Sequence, residues 1–122
     1  MNKIKEQTLN LTIPSGTTDG TIIEASANLD SNYDKCVGFS VQEVANSASS
    51  KYELGLRNEQ AQIQDFTNSN HLIVSTAVAP KDRYHERNFI AQGSRVTVQG
   101  RPSGASAGAD IKVQIIFKLL KD

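Results

Sequence analysis

The chain has 122 residues, 38% of them hydrophobic and 21% charged, with one Cys, no Trp, two His, and 13 basic residues balancing 13 acidic ones. That length suits one domain spanning 1–122, and the apolar share excludes a disordered segment. The even charge balance argues against a dedicated nucleic-acid or membrane-surface binder, and a lone Cys excludes an intrachain disulfide and a thiolate zinc site.

Strand patterns follow one another from the start. Ile4, Leu9, Leu11 and Ile13 carry the first apolar pattern, and Leu9 to Ile13 alternates with period two, which puts three apolar side chains on one face. Pro14-Ser15-Gly16 ends it, and Thr21 to Ala27 predicts a second strand. After the turn formers Asp30 to Asp34, Val37, Phe39 and Val41 alternate with polar residues in a third strand, which leaves Cys36 on the opposite parity. Tyr52, Leu54 and Leu56 predict a fourth strand and Gln60 to Phe66 a weaker fifth. His71 to Ala79, rich in β-branched residues and closed by Pro80, predicts a sixth. Asn88 to Ala91 reads as a short strand or an extended loop.

Arg95 to Gln99 predicts another strand, and the small residues of Gly100 to Ala109 predict an exposed hairpin tip. The last run is the clearest. Ile111, Val113, Ile115, Phe117 and Leu119 share one face, with Lys112, Gln114 and Lys118 on the other. No window carries a comparable helical stripe. The expected fold is an all-β, antiparallel β-sandwich of about eight strands, with a jelly-roll strand order expected. Ile115 to Leu120, the longest nearly apolar stretch, falls far short of a membrane span. Met1 to Glu6 starts basic but has no apolar h-region, so no signal peptide is expected.

No motif carries a chemistry. Gly104-Ala-Ser106-Ala-Gly108 has the G-x-S-x-G form, but no His follows it and a strand, not a helix, comes next. His71 and His85 fall short of the three protein ligands of a catalytic zinc, so no metal site is expected. Asp30-Ser-Asn32-Tyr-Asp34 copies the start of a calcium loop. Lys35 and Val41 stand where that loop needs Gly and Glu, so the segment reads as an Asx-type turn with, at most, adventitious calcium. Asn10-Leu-Thr12 is a sequon but reads more simply as the polar face of a strand. No catalytic residue, cofactor or small-molecule substrate is expected.

Two features point to partners instead. Ile116 and Leu120 make the last strand apolar on both faces, and a strand of that kind is buried on both, by its own fold or by a neighbour. Residues 81–101 hold five basic and two acidic side chains. Within them Lys81, Arg83, Tyr84 and Arg87 form a polar segment suited to a partner surface, although opposite charges in one loop also neutralise each other. Residues 1–60 hold five basic and eight acidic side chains, and residues 61–122 hold eight and five. Such halves suit head-to-tail packing of copies if they stay apart in space. The candidate contact residues are therefore Ile116, Leu120, Lys81, Arg83, Tyr84 and Arg87.

Leu11-Thr-Ile-Pro-Ser-Gly-Thr17, Tyr33-Asp-Lys-Cys-Val-Gly-Phe39, Tyr52-Glu-Leu-Gly-Leu56 and Val113 to Leu119 carry a likeness in pattern and style. Through them the chain resembles small β-sandwich structural proteins of bacteriophage virions, of the single jelly-roll, penton or minor-capsid type. The resemblance implies a non-enzymatic capsid building block, made in the host cytoplasm and located in the virion. Its partners would be copies of itself and neighbouring capsid proteins, and no functional residue transfers. The alternative from the residues alone is a small β-sandwich module that binds a carbohydrate or protein ligand.

Overall fold

The strictest alternation in the sequence becomes a central strand. Ile111, Val113, Ile115, Phe117 and Leu119 are all buried, and their strand is hydrogen-bonded on both sides. The computed structural model describes residues 3–59, 61–73 and 84–121. These form eight strands and one helical turn: β1 Lys3–Ile13, β2 Ile23–Asn28, β3 Lys35–Ala45, β4 Tyr52–Arg57, β5 Gln62–Asn68, α1 Ser69–Leu72, β6 His85–Ile90, β7 Arg95–Pro102 and β8 Ile111–Lys121. The strands make two four-stranded sheets, ordered β1-β8-β3-β6 and β2-β7-β4-β5, with every strand pairing antiparallel. The chain is an all-β, two-sheet sandwich, as its periodicity predicts.

The core lies between the sheets. Leu11, Ile13, Phe39, Val41, Ile115 and Phe117 come from the first sheet, and Leu54, Leu56, Val96 and Val98 meet them from the second. Close approach needs a residue with no side chain at Gly100, where a Cβ would stand 2.7 Å from Leu11 Cδ2 and 3.1 Å from Ile13 Cδ1. Polar side chains tie the sheets together at both open sides. On one side Lys5 Nζ meets Asp30 Oδ2 at 2.6 Å, and Gln7 donates to Asn28 O at 2.9 Å and accepts from Asp30 N at 3.0 Å. On the other, Arg87 donates to Gln64 Oε1, and His85 Nε2 lies 2.6 Å from Leu72 O.

Four local expectations are corrected. His71 and Leu72 belong to a helical turn, because the Asn68 side chain accepts from Asn70 N and starts a helix before the β-branched run can extend; residues 74–79 of that predicted strand lie outside the described residues. In β3 a bulge falls between Cys36 and Gly38, so Val37 is the extra residue and the parity flips. Cys36 is therefore the fully buried side chain and Val37 only half-buried. Residues 103–110 form no hairpin tip, since β7 and β8 lie in different sheets and the loop crosses between them. Finally, each sheet takes two strands from residues 1–60 and two from 61–122, so the acidic and basic halves interleave and do not form separate lobes.

Candidate functional site

The outward side of the β1-β8-β3-β6 sheet holds the predicted contact residues of β8 and an unusual surface. Register places Ile4 beside Leu120, Leu120 beside Lys35, and Lys35 beside Ile90, so one row crosses all four strands. Ile4 is 59% exposed and Ile90 67%, and both count among the few large apolar side chains left in solvent. Leu120 and Lys35 between them are half-buried. The next row is charged: Glu6 beside Lys118, Lys118 beside Gly38, Gly38 beside Glu86. Ile116 follows, half-buried, between Thr8 and Ser40.

Tyr84 is laid across this face. It directly precedes β6, yet its hydroxyl donates to Glu6 Oε2 on β1 at 2.6 Å, and Lys118 Nζ stands 5.4 Å from its ring centroid. The side chain thus spans the two strands that separate β6 from β1. Gly38 permits this, because a Cβ there would lie 2.9 Å from His85 O and 3.4 Å from Tyr84 Cβ. Burial raises the Tyr84 phenol well above its ordinary pKa of 10.0, and the hydrogen bond to Glu6 raises it further, so it stays a donor.

The remaining predicted contact residues lie elsewhere. Arg87 points between the sheets, where it donates to Gln64 and lies 5.8 Å from the Phe39 ring centroid. Lys81 and Arg83 fall outside the described residues. Ile4, Ile90, Lys35 and Glu86 are not among the contact residues read from the sequence. Ile4 has even parity against Leu9, Leu11 and Ile13, a signal that it faces the other way. Nothing local marks Lys35 and Glu86.

The residues with chemical potential are held apart or engaged. Cys36 is buried, and desolvation raises its thiol to about 11, which leaves it protonated and inert. Asp30 Oδ1 accepts from Asn32 N at 2.9 Å in an Asx turn while Oδ2 holds Lys5. His85 stacks on Phe39 with ring centroids 5.1 Å apart, and His71 lies exposed in α1. Ser106 sits in the exposed loop between β7 and β8. Among the described residues no group of three or more His, Cys, Asp or Glu is placed to hold a metal ion, and no helix is long and apolar enough to cross a membrane.

Two open clefts lie at the far end of the sandwich. One, of about 480 Å³, is lined by small residues of the 48–51 and 103–108 loops. The other, of about 320 Å³, is lined by Glu43, Asn46, Lys51, Asn68 and Asn70 among others. Its polar groups are largely engaged within the chain: Asn46 pairs with both Ser50 backbone groups, Asn68 caps α1, and Glu43 accepts from Tyr52.

No protein-family model matches the chain, and no curated protein matches it. A chain of the solved "Acidic stable capsid structure of Helicobacter pylori bacteriophage KHP30" is similar in structure, at 12% identity and a TM-score of 0.43, covering 98% of this chain and 93% of that one. A likeness at that identity and TM-score transfers no role.

Proposed function

We propose that the chain is a non-enzymatic structural subunit of a virion, a capsid building block of penton, minor-capsid or decoration type. It would act as one domain over 1–122 that assembles with copies of itself and with neighbouring capsid proteins. The order β1-β8-β3-β6 against β2-β7-β4-β5 interleaves two Greek keys and supports the jelly-roll reading. The observation that carries the assembly reading is the row from Ile4 through Leu120 to Ile90 on an outer sheet face. Ile4 and Leu120 stand side by side with Ile90 one strand beyond Lys35, and exposed apolar sheet surface of this kind gains by being covered.

The module reading finds less support. All seven aromatic side chains are engaged within the fold: Phe39, Phe117 and Tyr52 are buried, Tyr33 and Phe89 pack on the core, Phe66 lies under Arg101, and Tyr84 is bonded to Glu6. A carbohydrate platform needs a free aromatic face.

Light scattering across a concentration series, with electron microscopy of the product, tests the proposal. The wild-type chain should form oligomers, and Ile116→Lys should weaken them while the far-ultraviolet spectrum and melting curve stay unchanged. A chain that stays monomeric at high concentration overturns assembly. Unfolding of Ile116→Lys places that residue in the core and removes it from the contact.

A further inference from the structure

We propose that the row Ile4, Leu120, Lys35, Ile90 forms a two-fold contact with a second copy of this chain, in which Lys35 meets the partner's Glu86 and Glu86 meets the partner's Lys35. This rests on the assembly reading and adds the occupant of the face, its symmetry and the pair that gives it specificity.

The charges around the row carry the argument. Tyr84 engages Glu6 and faces Lys118. Lys35 and Glu86 are different: the ion pairs among the described residues are Lys5–Asp30, Arg57–Glu24 and Arg101–Glu53, and neither residue joins them or a side-chain hydrogen bond. Two unpaired charges of opposite sign thus stand on one face, on the adjacent strands β3 and β6, offset along the sheet. A two-fold axis between them brings each against its opposite, so residue 35 contacts 86 and 86 contacts 35, as an isologous contact requires. Lys35, Lys118, Glu6 and Glu86 sum to zero, which suits a copy of the same face better than a strongly anionic partner such as nucleic acid.

The size also fits. Four strands about 4.8 Å apart and some nine residues long at about 3.3 Å per residue give a face of roughly 19 by 30 Å. That is roughly 570 Å², close to the lower end of about 600 Å² per partner for a stable interface. The Lys35–Glu86 pairs would flank the two-fold axis and fix register, with Ile90 and Leu120 beside them and Ile4 toward the β1 edge supplying apolar contact.

Sedimentation velocity on the full chain and its variants tests this. The wild type should show a dimer as its first associated species. Lys35→Glu and Glu86→Lys should each weaken dimerisation by at least about tenfold, since like charges then face each other twice. Mixing these two variants should restore a heterodimer to within about threefold of wild type, because both contacts become attractive again, and the double variant should dimerise likewise. If a reversal loosens the fold, Lys35→Gln and Glu86→Gln replace it, with weakening of both expected. Failure of the mixture to recover, or open-ended oligomers with no dimer, overturns this contact while the assembly reading stands. Self-association that survives both Ile90→Lys and Ile116→Lys overturns the use of this face altogether.

Discussion

The outward faces of the two sheets are built from the same kind of strand, yet they treat their side chains differently. On the β2-β7-β4-β5 face most of the long side chains engage one another. Glu24 accepts from Arg57 at 3.3 Å and from Gln99 at 3.1 Å, Gln62 reaches Gln99, and Arg101 holds Glu53 at 2.9 Å while lying 4.0 Å from the Phe66 ring centroid. On the β1-β8-β3-β6 face Tyr84 ties one row together, but Ile4 and Ile90 stand in solvent, and Lys35 and Glu86 join no ion pair among the described residues. A face whose groups engage each other has little to gain from a partner, whereas one that leaves adjacent apolar side chains in solvent gains by being covered. The difference between them, more than any single residue, is what supports the proposed contact on the first face.

Glycine substitutions should separate the two faces by the largest margin. Gly38→Ala drives a Cβ to 2.9 Å from the backbone oxygen of His85, which has no rotamer to yield, and should cost about 1–3 kcal/mol by urea denaturation. Gly55→Ala on the other face meets nothing nearer than 3.3 Å, at the Gln62 amide and the Gln64 backbone oxygen, and should cost less than about 1 kcal/mol. Equal costs would deny that Tyr84 and His85 press closely on β3 at Gly38.

A second pair separates fold from assembly. Tyr84→Phe removes the donor to Glu6 and should cost about 1 kcal/mol, with a change in self-association because the strap lies within the proposed contact. Arg101→Met should cost about 0.5–1 kcal/mol through the lost ring contact and leave self-association untouched, as measured by paired melting curves and sedimentation. Coupling of assembly to Arg101 would move the contact to the wrong sheet.

The smallest effect concerns the side where β1 meets the β2–β3 turn. The hydrogen bond from Lys5 holds the Asp30 carboxyl below its ordinary 3.8, and the same partner raises Lys5 above 10.5. The clamp is therefore complete above pH 3.8 and is lost as pH falls through the lower folded value of Asp30. On the alkaline side it is complete below 10.5 and is lost as pH rises through the raised value of Lys5. Asp30→Asn should flatten the acid limb of melting temperature against pH slightly, and less at high salt, since both groups are solvent-screened.

Much of the fold is legible in residue order. The β8 alternation, the Tyr52-Leu54-Leu56 run and the Pro14-Gly16 stop each report burial or backbone geometry within a few residues, and the strands follow. Part of the candidate face is legible as well, since Ile116 and Leu120 sit on the wrong parity for the core. The bulge at Val37 is not: one inserted residue costs nothing visible in the pattern but swaps Cys36 into the core. Nor is the helical turn at Ser69–Leu72, where a cap from Asn68 outweighs the β propensity that follows.

Residue order alone reports that the chain is built of two-faced strands and, away from the bulge at Val37 and the turn at Ser69–Leu72, which of their sides are apolar, because those properties depend on neighbours along the chain. Tertiary structure alone decided which strands lie side by side. That choice set Ile4, Leu120, Lys35 and Ile90 in one row and brought Tyr84 onto Glu6, 78 positions away. Strand pairing is fixed by hydrogen bonds and core packing between segments far apart in the chain, and no local periodicity encodes a distance across a sheet.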